Sequence, residues 1–117
     1  MPTAGLACAF TSPKAPLSEQ DYNEWYSEYH IQDVVHAGLA TLAVRYKNKN
    51  PNAAWPYLAV YHLPDIAKLR DQEFMASIPH THALLPDGKP WPEALNHDIR
   101  SFTVIQEFEG PTPMEGM

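Results

Sequence analysis

Hydrophobic and polar residues alternate with a period of two along three stretches of this chain and follow a helical repeat along two others. Residues 39–47 (LATLAVRYK) set Leu42, Val44 and Tyr46 against Thr41, Ala43 and Arg45, which predicts a half-buried strand. Residues 57–62 (YLAVYH) place Tyr57, Ala59 and Tyr61 on one face and Leu58, Val60 and His62 on the other. Residues 101–109 (SFTVIQEFE) alternate Phe102, Val104, Gln106 and Phe108 with Thr103, Ile105 and Glu107, predicting a last strand before a polar, proline-containing tail. An apolar run at 5–10 (GLACAF), bounded by turn formers, predicts a short buried strand. Ser18 with Asp21 three residues on has the spacing of a helix cap, and the helix it starts runs to about His36, with Gly38 as its stop. Pro64 and Asp65 open a second helix carrying Ile66, Leu69 and Phe74.

The remaining segments punctuate these elements. Residues 48–56 (NKNPNAAWP) are a turn, and residues 79–92 (PHTHALLPDGKPWP) are too broken by proline and glycine for regular structure. That loop is long enough to be functional, and residues 93–97 (EALNH) add at most one helical turn after it. The order is therefore βαββαβ, that of a ferredoxin-like α+β fold in which helices cover one face of an antiparallel sheet. The other face needs a cover, and for a single domain of 117 residues a second subunit is the available one.

Composition narrows the partners. A formal charge of −6 argues against nucleic acid or an anionic membrane, since either demands a basic face. The one basic run, residues 45–50 (RYKNKN), is diluted by asparagine and reads as solvated. No stretch reaches the length of a membrane span and the N-terminus does not read as a signal peptide, so a soluble, cytoplasmic protein is expected. The single cysteine, Cys8, lies in an apolar run with no activating charge beside it and reads as an inert thiol.

The first helix carries the candidate chemistry. At about 100° per residue from Tyr22, Tyr29 falls near −20°, Asp33 near +20°, Tyr26 near +40°, His36 near −40°, Trp25 near −60° and His30 near +80°. A core would use leucine there; hydroxyls, imidazoles and a carboxylate need hydrogen bonds if buried, so this face predicts a partly hydrated pocket. His30 is the expected general acid or base, oriented by Asp33, with Tyr26 completing the catalytic set. Tyr22, Trp25, Tyr29 and His36 are expected to bind substrate, as are Tyr61, or His62 if strand 57–62 turns its other face inward, and His80 and His82 at the rim.

Other chemistries lack their signatures. His30, Asp33 and His36 recur every three residues, but the outer two diverge by about 120° and lie about 9 Å apart along the axis, so one ion cannot easily take both. His80 and His82 have no neighbouring carboxylate, and no metal is expected. None of the serines sits in a nucleophile motif, and no glycine-rich phosphate loop or dinucleotide fingerprint occurs.

Residues 21–47 (DYNEWYSEYHIQDVVHAGLATLAVRYK) resemble the first helix and second strand of EthD-like members of the dimeric α/β-barrel superfamily. Trp25, Tyr26, His30 and Ile31 match a Trp-Tyr, three residues, His-hydrophobic pattern, and Gly38 leads into the strand with Arg45 and Tyr46; Gln32 stands where many relatives have proline and His36 where a small residue is common. The resemblance implies a homodimer whose two four-stranded sheets face each other as a barrel, with a pocket in each subunit between sheet and helices. Relatives of this kind include cofactor-free decarboxylases, lactone isomerases, polyketide cyclases and quinol-forming monooxygenases, and more distant ones bind haem. The leading expectation is a cofactor-independent lyase or cyclase-isomerase acting on an aromatic or polyketide-like small molecule. Alternatives are a cofactor-free anthrone or quinol monooxygenase, and a non-catalytic small-ligand or haem-binding protein.

Overall fold

Strands β1 (Gly5–Pro13), β2 (Leu42–Lys47), β3 (Tyr57–Leu63) and β4 (Leu95–Thr103) pair in the order β2-β3-β1-β4 in the computed structural model, which describes residues 1–111. Every neighbouring pair is antiparallel, so the mixed α+β arrangement is compatible with the ferredoxin-like order expected from the sequence. Among the described residues no helix is long and apolar enough to cross a membrane.

The helical run over the sheet begins as expected: Ser18 accepts a hydrogen bond from the Asp21 backbone N–H at 3.1 Å and caps α1 (Glu19–Trp25). It does not continue as one α-helix. Residues Tyr26–His30 form a π-helical turn, in which the Ile31 N–H reaches the Tyr26 carbonyl, before α2 (Ile31–His36) resumes. One inserted residue turns everything beyond it by about 100°. The buried positions are accordingly Tyr22, Trp25, Tyr26, His30 and Val34, where an unbroken helix would bury Tyr29 and Asp33. Gly38, at φ +89°, ends the run in a conformation that side chains disfavour.

Register fixes which sheet face meets these helices. Ala7, Ala9 and Thr11 of β1, with Tyr57, Ala59 and Tyr61 of β3, are buried under the helical run. Ala43 and Arg45 of β2 stand opposite Tyr61 and Ala59, and His97 and Ile99 of β4 stand opposite Thr11 and Ala9, so they share this face. The complementarity is small against large: alanines on the central strands lie under tyrosines and a tryptophan. On the outer face lie Leu6, Cys8 and Phe10, with Leu58 and Val60, Leu42, Val44 and Tyr46, and Phe102 beyond them. Leu42, Tyr46 and Phe102 are each about half exposed, at 52%, 53% and 51%.

Several expected boundaries move. β1 extends to Pro13 rather than stopping at residue 10, because β4 pairs along its whole length. Leu39 and Ala40 are buried but precede β2. The second helix divides into a 3-10 turn, Ile66–Arg70, and α3 (Gln72–Ala76), because Asp71 takes an extended conformation and caps the new start through the Phe74 N–H at 3.0 Å. The loop at 79–92 contains a 3-10 turn, Pro86–Gly88, and the start of α4 (Trp91–Ala94), and Leu95 is already strand. The last strand is therefore displaced from 101–109 to Leu95–Thr103. Thr103 pairs with Gly5, the first residue of β1, so residues 104–111 run past the end of the sheet, with Val104, Ile105 and Phe108 exposed. Residues 112–117 of the predicted tail lie outside the described residues.

Gly5 is required by close approach: a Cβ there would come within 2.3 Å of the Phe102 carbonyl oxygen and of Ile66 Cγ2. Gly5→Ala is expected to push β1 and β4 apart and cost about 1–3 kcal/mol. The measurement is the urea midpoint, which should fall with an unchanged slope; Gly110→Ala, with nothing within 4 Å, is the neutral control.

Candidate active site

A cavity of about 90 Å³ lies between the helical run and the sheet. Its floor exists because Ala7 and Ala9 are too small to fill the space beneath the helix, and Thr11, Tyr61 and Ile99 complete that side. Trp25, Tyr26, His30 and Val34 descend from the helical run, while Ile78, His80 and Trp91 close the wall from the segment between β3 and β4. The volume is several times what one water needs, but well below a drug-sized pocket of roughly 300–1,000 Å³.

His30 is the centre of this arrangement. It is 8% exposed, stacked on Trp25 at 4.6 Å between ring centroids and 20° between planes. The Tyr26 ring meets it edge-on at 5.3 Å, and Trp91 lies 5.7 Å away. Its Nδ1 is sealed from solvent and has no hydrogen-bond partner among the described residues. Burial, with a smaller contribution from His80, lowers its pKa from 6.5 to about 4. The imidazole is thus neutral at physiological pH.

Beside it, the hydroxyls of Tyr26 and Tyr61 share a hydrogen bond of 3.0 Å. Burial pushes Tyr61 up to about 12 and holds Tyr26 well above the ordinary tyrosine value, so both remain protonated phenols. Tyr22 is fully buried but does not line the cavity; its hydroxyl bonds Thr11 Oγ1 at 2.5 Å, which raises no charge but orders a cavity-lining side chain. Arg45, opposite Ala59, supports the tyrosines from behind. Its guanidinium lies 4.5 Å from the Tyr26 ring centroid and also over Tyr22 and Tyr57, while it donates to Ser27 Oγ at 2.7 Å and Asn23 Oδ1 at 2.9 Å. A second, open cleft borders this residue and Lys47, but its polar groups largely bond one another: Tyr57 donates to Glu19, and Asn23 to Tyr57 at 3.2 Å.

Of the residues predicted from sequence, the structure gathers Trp25, Tyr26, His30, Tyr61 and His80 around one cavity. It separates the others. Asp33 is half-buried and makes no hydrogen bond to His30, and Tyr29 is 43% exposed, because the π turn moves both off the inward line. Tyr29 instead packs against His82 at 4.2 Å, whose Nδ1 accepts from the Leu84 N–H at 3.0 Å. His36 is exposed at the end of α2, and His62 is exposed on the outer sheet face, since Tyr61 takes the inward one. Sequence reasoning missed Thr11, Ile99 and Trp91, and missed Arg45 as the cation behind the tyrosines. The signal for Trp91 was present: a tryptophan between two prolines in a long loop has to cover something.

No family model matches the chain. It is 51% identical over 76 residues to core atranone cluster (CAC) protein 1 of Stachybotrys chlorohalonatus (strain IBT 40285), a match covering 64% of this chain. The chain spans about a third of that relative's length, 32%. Its fold is similar to that of the hydroxynitrile lyase from Passiflora edulis, with a TM-score of 0.60 over 93% of this chain and 100% of the other, at 12% identity. At that identity the likeness is one of fold.

The depressed His30 pKa makes stability depend on pH. An unfolded histidine takes up its proton near 6.5, and folded His30 only near 4. Its neutral burial therefore carries no penalty above about pH 6.5, and stability is lost as pH falls from there to about 4, by at most about 1.4 kcal/mol per unit. Urea midpoints between these limits should fall less steeply for His30→Phe than for the parent protein; parallel curves would contradict a neutral buried imidazole.

Proposed function

We propose that this protein is a small-molecule enzyme, an EthD-like member of the dimeric α/β-barrel superfamily, in which His30 moves a proton on an aromatic or polyketide-like molecule without a cofactor. The observation that carries the reading is a buried, neutral imidazole in the wall of a cavity, with one nitrogen unpartnered among the described residues, beside two bonded phenols. Polar groups are seldom buried without partners unless they serve a ligand or a reaction. The name of the Stachybotrys relative supports a place in secondary metabolism, and that of the Passiflora enzyme supports a lyase.

The chemistry follows from the neighbours. Proton removal from a hydroxyl, or from carbon beside a carbonyl, leaves negative charge on oxygen, and the Tyr26–Tyr61 pair offers a donor to it. The resulting imidazolium is steadied by that anion, and by stacking on Trp25. Trp25 and Trp91 supply flat apolar walls for a ring. Lyase or cyclase-isomerase chemistry uses this set without electron transfer. We place the reaction in the cytoplasm.

The outer sheet face supports assembly as a homodimer. Leu42, Val44, Tyr46, Val60 and Phe102 share that face, and covering it with its counterpart would gain about 25 cal/mol per Å² of apolar surface before association costs.

Two measurements test the reading. Assayed on the molecule that co-purifies with the protein, identified by mass spectrometry, His30→Ala is expected to lower turnover by about 100-fold or more with the fold retained; full turnover in a well-folded variant removes His30 from the mechanism. Light scattering at micromolar concentration should give the mass of two chains, and a compact monomer would remove the barrel.

A further inference from the structure

We infer that the cavity takes an uncharged molecule whose oxygen accepts a hydrogen bond from the Tyr26–Tyr61 pair, and that it rejects carboxylates. The inference rests on the cavity being the substrate site and specifies which substrates it admits.

Among the described residues, the lining contains five polar side chains, Thr11, Tyr26, His30, Tyr61 and His80, and no lysine, arginine, aspartate or glutamate. A carboxylate bound there would leave water without meeting a cation, the least favourable way to bury a charge. Arg45 does not serve. It lies over the Tyr26 ring rather than in the lining, and its guanidinium donates to Ser27 and Asn23.

The same lining specifies which polar feature the ligand needs. His30 Nδ1 is sealed and unpartnered among the described residues, so any ligand meets this ring at its other atoms. In the Tyr26–Tyr61 pair one hydroxyl donates to the other, which leaves one phenolic proton uncommitted. Thr11 shares a second hydroxyl pair with Tyr22. Hydroxyl donors with no cation beside them match the lone pairs of a carbonyl or hydroxyl oxygen. Such a site refuses a resting negative charge yet meets one that develops on that oxygen during proton transfer. Among the reactions considered for this site, cyclisation or isomerisation of a neutral substrate fits it, and decarboxylation of a carboxylate does not.

Benzamide and benzoate, a neutral and an anionic molecule of nearly the same shape, discriminate. Both are titrated at pH 8, where unperturbed histidines are uncharged, with tryptophan fluorescence as the readout because Trp25 and Trp91 line the cavity. Benzamide is expected to bind at least about tenfold more tightly, equivalent to about 1.4 kcal/mol, and to bind more weakly to Tyr26→Phe/Tyr61→Phe than to the parent protein. Benzoate binding as tightly as benzamide to the parent protein overturns the inference while leaving the cavity as a ligand site. Undiminished benzamide binding to folded Tyr26→Phe/Tyr61→Phe overturns the hydrogen bond from the phenols. If neither compound changes the fluorescence up to its solubility limit, the cavity is not the ligand site and the inference falls with that reading.

Discussion

The Ile31 N–H bonds the carbonyl of Tyr26, five residues back rather than four, and the composition of the interior depends on that bond. Subtracting one residue's rotation of about 100° brings His30 to about −20° and Val34 to about +20° from Tyr22, the directions an unbroken helix assigns to Tyr29 and Asp33. The exchange replaces a phenol and a carboxylate with an imidazole and an isopropyl group. Without it, a carboxylate would sit under the helix where no cation lines the space, and His30 would swing toward the flank. The wider turn is therefore the local backbone adjustment that keeps a carboxylate out of the site.

Electrostatics elsewhere follow from that exclusion. Arg45, a cation close to the site, is held behind the Tyr26 ring by Asn23 and Ser27, where its charge acts through an aromatic face rather than by direct contact. Its field favours negative charge on Tyr26 and Tyr61, but burial outweighs it, and both phenols keep their protons. The charged residues of the chain stay mainly at the surface, such as the exposed Arg100–Asp98 pair at 2.8 Å.

What the sequence made legible follows physical strength of signal. The period-two pattern in β3 and the Ser18 cap are local, and both appear where the pattern put them; which face of β3 turns inward was open between Tyr61 and His62, and packing against the helical run selects Tyr61. The position of β4 was hidden because its helix-facing residues, Leu95, His97, Ile99, Ser101 and Thr103, are chemically mixed, whereas the alternation further on is cleaner but has no strand to pair with. Register with β1, a non-local property, decides between them. The π turn had no local signature, so the wheel placed the right residue types on the helix but rotated its second half. His30 survived as a candidate because its residue type argued for chemistry independently of its angle.

The alanine floor has a consequence for how such a site can diverge. Ala7 and Ala9 sit on a central strand, whereas His30 and Tyr26 hang from the helical run, so the depth of the cavity and the groups assigned to the proposed proton transfer belong to different elements of the fold. Each methyl group added at the floor subtracts space beneath Trp25 and Trp91 without replacing an imidazole or a phenol. Under the proposed function, the size of the ligand is set by single steps on the strand while the helix keeps its polar groups, which separates the inheritance of mechanism from the inheritance of specificity.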